Sequence, residues 1–114
     1  FSNPQKGGML TFDASDHNRV SHIIDKPKES REKYSWCNAV WKPSFTEFLH
    51  DYLAQLDAEA NGEPLPERPI GDMIQAAIAH GLRVEAELMD DGEFLDVGTP
   101  EDLVKAIRDL TVLS

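Results

Sequence analysis

The twelve residues Gly92-Glu93-Phe94-Leu95-Asp96-Val97-Gly98-Thr99-Pro100-Glu101-Asp102-Leu103 constrain the chain most, because they ask for a strand, a tight turn and a capped helix in immediate succession. Phe94, Leu95 and Val97 favour extended backbone, and Gly98 can take the positive φ that a sharp exit from a strand often requires. Thr99 then stands as N-cap, Pro100 at the first helical position and Asp102 three residues after the cap, the arrangement that satisfies free helix N–H groups. Asp96 is thereby placed at the C-terminal end of a strand, the edge at which open α/β sheets gather ligands. The plainer reading of Asp96 is a solvated carboxylate beside a turn.

Upstream, residues 1–8 carry Pro4, Gly7 and Gly8 and read as a loop into a strand at 9–12. The turn cluster 13–18 and a weakly alternating run at 19–25 complete an antiparallel hairpin, ended by Pro27, which has no N–H for the ladder. The run 36–41, Trp-Cys-Asn-Ala-Val-Trp, reads as a buried strand, and Ser44 with Glu47 forms a capping box for the helix that follows. Phe45, Phe48, Leu49, Tyr52, Leu53 and Leu56 give that helix one apolar face. Residues 59–69 hold Gly62 and three prolines and must be an extended loop. A second helix follows from Ile70, stopped by Gly81 at C′, and the alternation of 82–88 predicts a strand with one wet face. Leu103, Ile107 and Leu110 mark the inner stripe of the last helix.

The expected order is β-β-β-α-α-β-β-α, an α/β sheet with mixed strand directions. The apolar run 36–41 wants sheet neighbours on both sides and cover on both faces, more than three helices supply, so residues 1–114 are expected to be a single partial domain of a larger sheet. The start at Phe1 without Met agrees with a fragment or a processed product.

Eleven Lys plus Arg against 21 Asp plus Glu leave a formal charge of −10, which repels nucleic acid and anionic lipid and makes neither an expected partner. A phosphate site must therefore rest on a local cation or a bound metal. No apolar run approaches the roughly 20 residues of a membrane span. Cys37 is the one cysteine, so no internal disulfide forms, in keeping with a cytoplasmic location. Oligomeric state is not legible.

Asp25 and Lys26, held by Pro27, offer an acceptor for sugar hydroxyls and a cation for a phosphate, although a surface ion pair explains them as simply. Glu67 sits in a proline-bound loop, and Asp72 at the next helix start is explained by capping. The four histidines show no metal-ligand spacing, and Cys37 reads as a small buried hydrophobe. No Gly-rich phosphate loop, nucleophile elbow or zinc signature occurs.

Taken in order, Ile-Ile-Asp-Lys-Pro at 23–27, the Trp-Cys-Asn-Ala-Val-Trp run, Pro-Glu-Arg-Pro-Ile-Gly-Asp opening a helix that ends at His-Gly, and Phe-Leu-Asp-Val-Gly-Thr-Pro-Glu-Asp-Leu resemble the sugar-phosphate nucleotidyltransferase family. The closest likeness is to glucose-1-phosphate thymidylyltransferases and related NDP-sugar pyrophosphorylases, from about Gly8 to Leu110. The resemblance implies a Rossmann-like mixed-sheet domain of which this chain is the sugar-phosphate half, the Gly-rich nucleotide-binding half being absent from it. It implies that Asp25 and Lys26 contact the sugar and its phosphate, that Asn38 lies near the sugar, that Glu67 meets the sugar hydroxyls and that Asp96 binds Mg²⁺. Pro69 and Gly71 stand where the family often has an acid and a threonine, and Trp36 and Trp41 suggest an atypical pocket, so sugar identity is left open.

The implied reaction is attack of a sugar 1-phosphate oxygen on the α-phosphorus of a nucleoside triphosphate with release of pyrophosphate, catalysed by positioning and charge neutralisation. The isolated chain is expected to be inactive. A rival reading is a non-catalytic acidic α/β module that binds a sugar phosphate or another protein. A glycosyltransferase of similar fold would use an Asp-x-Asp motif, which does not occur here.

Overall fold

In the computed structural model the described residues are 7–25, 27, 32–89 and 95–113. β1 (Gly8–Phe12) and β2 (Val20–Asp25) form the antiparallel hairpin that the alternation predicts, with a register shift at Thr11/Phe12. Its turn is tied by carboxylates: Asp13 Oδ1 accepts from the Ser15 N–H (2.8 Å) and hydroxyl (2.6 Å), and Asp16 Oδ1 accepts from the Asn18 N–H (3.1 Å). These are the local bonds that make Asp and Ser turn formers.

β3 (Tyr34–Trp36) pairs antiparallel with the other side of β1, giving the sheet order β2-β1-β3. β2 and β3 therefore run parallel to each other, flanking β1. The expected buried strand at 36–41 is corrected: the ladder stops at Trp36, and residues 37–41 are exposed and irregular. The physical reason lies in the register. Trp36 pairs with Gly8, the first residue of β1, so the described sheet has no partner to offer beyond it.

α1 (Pro43–Ala60) begins one residue earlier than its sequence suggests. Pro43 takes the first helical position, Lys42 becomes the N-cap without a side-chain cap bond, and the expected Ser44–Glu47 capping box is displaced into the first turn. Asn61 in the left-handed region (φ 51°) ends the helix. Phe45 is buried, while Phe48, Leu49, Tyr52 and Leu56 are half-buried along the same face.

α2 (Ile70–Ala79) packs on β2, burying Met73, Ile74 and Ala77 against Leu10, Val20, Ile23 and Phe45. Gln75 Oε1 accepts the Ile23 N–H (2.7 Å), fastening helix to strand through a backbone group. The helix stops as expected, with Gly81 at φ +94° just past His80. His80 lies against Phe48 (5.2 Å between ring centroids) and Tyr52 (5.9 Å), and its Nδ1 donates to the Ala76 carbonyl (2.8 Å), pinning the end of α2 to α1.

The expected strand at 82–88 shrinks to one bridge, Arg19 with Glu85, although Val20 donates to the Val84 carbonyl and Ala86 to that of Asn18, both at 2.8 Å. Its alternation survives as burial: Leu82, Val84 and Ala86 are half-buried, Arg83, Glu85 and Glu87 exposed. The strand expected before Gly98 is corrected too. Residues 95–98 are irregular, 92–94 lie outside the described residues, and Gly98 has no positive φ. α3 (Pro100–Leu113) follows, with Thr99 Oγ1 accepting the Asp102 N–H (3.1 Å), as its sequence predicts. The expected inner stripe is not covered: Leu103, Ile107 and Leu110 are at least half exposed, and Ala106 is the buried residue of this helix.

The described strands are thus three, paired antiparallel, with three helices in an α/β arrangement. The radius of gyration is 17.0 Å, against about 13 Å for a close-packed chain of this length.

Candidate functional site

The site residues are best located from Gly8. It pairs with Asp25 at the C-terminal end of β2 and with Trp36 at the C-terminal end of β3, so both parallel strands finish at this end of the sheet. The Trp36 indole lies over Gly8: a Cβ there would overlap Nε1 and reach 3.0 Å from Cδ1. From the other side Gly71, in the first turn of α2, faces Ile23 and the far edge of the same indole, at 3.4 and 3.6 Å from its own would-be Cβ. The two glycines let a tryptophan fit between sheet and helix. Its Nε1 is buried and, among the described residues, has no hydrogen-bond partner.

This arrangement brings three of the sequence candidates to one end of the fold. Asp25 is half-buried at the close of β2, Asn38 is exposed two residues past Trp36, and Glu67 is exposed in the loop entering α2. Lys26 lies outside the described residues. The start of α2 adds donors, because Pro69 is its N-cap and no side chain caps it. The capping role expected of Asp72 is therefore corrected: its carboxylate makes no cap bond, and its own N–H donates to the Pro69 carbonyl (3.0 Å). Free N–H groups at a helix start, beside strand ends carrying a carboxylate and an amide, suit a ligand with hydroxyls and an anionic group.

Asp96 stands apart from this set in its bonding. Its Oδ1 accepts the Gly98 N–H (3.0 Å), and a Cβ on Gly98 would come within 3.2 Å of that oxygen, so the glycine serves close approach of the carboxylate. No hydrogen bond or ion pair joins Asp96 to Asp25, Asn38 or Glu67. Among the described residues no group of three His, Cys, Asp or Glu is placed to hold a metal ion. Oδ2 of Asp96 remains, which fits an Mg²⁺ carried mostly by substrate phosphates and water and does not make a protein cage.

Charge elsewhere serves the turn at the opposite end of the hairpin. The Asn18 N–H, and after it Arg83 at 2.6 Å, hold the Asp16 carboxyl below its ordinary value, and the Ser15 hydroxyl does the same for Asp13. Glu85 and Asp16 together raise Arg83. These groups are fastened to one another and belong to the loop.

Trp36 between Gly8 and Gly71 is the feature that motif reading missed as a unit. The signal was present in Gly71, which stands where related patterns carry a threonine, and in a tryptophan at a strand position. A family model described as nucleotidyl transferase matches residues 2–112, and the sheet and helices fit part of such a Rossmann-like domain. No curated protein and no solved structure matches the chain. No helix among the described residues is long and apolar enough to cross a membrane.

Proposed function

The chain belongs to the nucleotidyl transferase family, and we propose that it forms the sugar-phosphate side of a sugar-phosphate nucleotidyltransferase. The observation that carries this reading is the meeting of the β2 end, the β3 end and the uncapped start of α2, with Asp25, Asn38 and the Glu67 loop around it. Asp25 and Glu67 accept hydrogen bonds from sugar hydroxyls, Asn38 both donates and accepts, and Lys26 with the α2 N–H groups takes the phosphate. A phosphate oxygen of the bound sugar 1-phosphate attacks the α-phosphorus of a nucleoside triphosphate. The bond from that phosphorus to the bridging oxygen of the β-phosphate breaks, and pyrophosphate leaves. Mg²⁺, held by Asp96 and the phosphates, would supply charge that a chain of formal charge −10 lacks. The nucleotide's own phosphate loop is not found within residues 1–114, so the chain alone binds without turning over. The cytoplasm, where nucleoside triphosphates are made, is the compartment this chemistry calls for.

Calorimetric titration of the 114-residue chain with glucose 1-phosphate and separately with dTTP tests the reading. Binding of the sugar phosphate, weakened at least about tenfold by Asp25→Asn through loss of a charge-assisted contact, is expected, without comparable binding of dTTP. Pyrophosphate release by the chain alone, or binding indifferent to Asp25→Asn, would contradict it.

A further inference from the structure

The two outer edges of the sheet are unlike. At β2 the Val20 N–H donates to the Val84 carbonyl, the Asn18 carbonyl accepts from Ala86, and the Ile23 N–H is taken by Gln75, so that edge is closed. At β3, among the described residues, Tyr34–Trp36 pairs with β1 alone. The chain then continues through Cys37, Asn38, Ala39, Val40 and Trp41, all exposed, with Val40 101% accessible. Unpaired backbone groups beside strand-forming side chains accept another strand. Accessible surface points the same way. The chain exposes 9042 Å², against about 6,300 Å² for a folded monomer of its mass, an excess larger than the roughly 800 Å² each partner gives to a standard interface.

We propose that a second copy of this chain adds to the open edge of β3, residues 32–42 of the two copies pairing antiparallel about a two-fold axis at Cys37. Residues facing each other across such an axis lie on the same face of the sheet, so the register can slide only in steps that keep their parity alike. With Cys37 opposite Cys37, Glu32 of each copy faces Lys42 of the other, Tyr34 faces Val40, and Trp36 faces Asn38. Sliding one step either way sets Glu32 against Val40 or Lys42 against Tyr34, and the charge pairs vanish. The segment also escapes the repulsion that −10 per chain would impose, since 32–42 carries Glu32, Lys33 and Lys42 and is locally positive. Tyr34 and Val40 supply an aromatic with β-branched pair twice over, one for each half of the two-fold.

Sedimentation equilibrium of the 114-residue chain across micromolar concentrations is expected to show a reversible dimer. Val40→Lys should weaken it about tenfold by replacing both Tyr34–Val40 pairs, with unchanged far-ultraviolet dichroism because Val40 touches no core. Val40→Thr should retain it. Facing Cys37 residues lie about 4.5–5.5 Å apart at Cα, within disulfide reach, so copper-phenanthroline oxidation should give a covalent dimer that Cys37→Ser abolishes. A monomer at every concentration, which would leave the edge to a different polypeptide, overturns the proposal. So does a dimer indifferent to Val40→Lys, or one in which Cys37 does not cross-link.

Discussion

Replacing Gly8 by alanine pits two effects of opposite sign against each other. Gly8 has an ordinary backbone conformation in β1, so alanine restricts the unfolded chain without straining the fold and on that ground stabilises by about 0.4–1 kcal/mol. The added methyl, however, overlaps the Trp36 indole at Nε1 and approaches Cδ1 at 3.0 Å. The ring cannot simply lift, because Gly71 and the first turn of α2 lie on its other edge. Overpacking of this kind costs about 1–3 kcal/mol, so the sheet–helix clash wins and a net loss of about 1–2 kcal/mol is expected. Urea unfolding followed by far-ultraviolet dichroism measures it for the parent, Gly8→Ala, Trp36→Leu and the double variant. In the Trp36→Leu background the clash is gone, and Gly8→Ala should become neutral or stabilising, a coupling of about 1–3 kcal/mol. A stabilising Gly8→Ala in the parent, or equal effects in both backgrounds, would refute the seating of Trp36 over Gly8.

Thr99→Ala removes the acceptor of the Asp102 N–H and should cost about 1 kcal/mol by urea unfolding, with Thr99→Ser recovering most of it. In acid, the Asp16 contribution is present above the ordinary carboxyl value of 3.8 and is lost as pH falls through the lower folded value. The Asn18 amide resonance should follow that loss with a midpoint below 3.8, and a midpoint at or above it would show that the bond confers no preference for the ionised form. Asp96→Asn keeps a carbonyl acceptor for the Gly98 N–H, so the melting temperature should hold while Mg²⁺-dependent turnover in a catalytically complete enzyme falls strongly. Loss of melting temperature with Mg²⁺ dependence unchanged would make Asp96 a turn fastener only.

What was legible in the sequence is what neighbours within a few residues decide. The hairpin, the apolar face of α1, the Gly81 stop and the Thr99 cap each depend on local chemistry, and each is found. Trp36 to Trp41 shows the limit. Its composition fits a buried strand, but a strand exists only where another supplies the ladder, and β1 ends at Gly8 opposite Trp36. Leu103, Ile107 and Leu110 carry a helical stripe whatever lies beside it; periodicity marks a face able to be buried and is silent on whether anything covers it. The same distinction separates Leu82, Val84 and Ala86, whose burial alternates correctly, from the ladder they mostly fail to make.

The candidate residues divide along that line. Asp25 was placed by a strand and a following proline, both local, and stands at the strand end where expected. Asn38 and Glu67 come to the same end only through the parallel placement of β2 and β3 and the seating of Gly71, relations with no short-range signal. Asp96 shows the reverse: its Asx bond to Gly98 was readable from the turn sequence, and the strand inferred from that turn is not formed in 95–98. A carboxylate engaged through one oxygen keeps the other for a ligand, so the turn bond orients Asp96 without using it up. Because Gly98 is needed for that close approach, Gly98→Ala should disturb the carboxylate's direction before it disturbs α3, whose start is held separately by Thr99. Orientation of Asp96 and stability of the helix behind it are thus set by different residues, which is what allows substitution to separate a ligand role from a structural one.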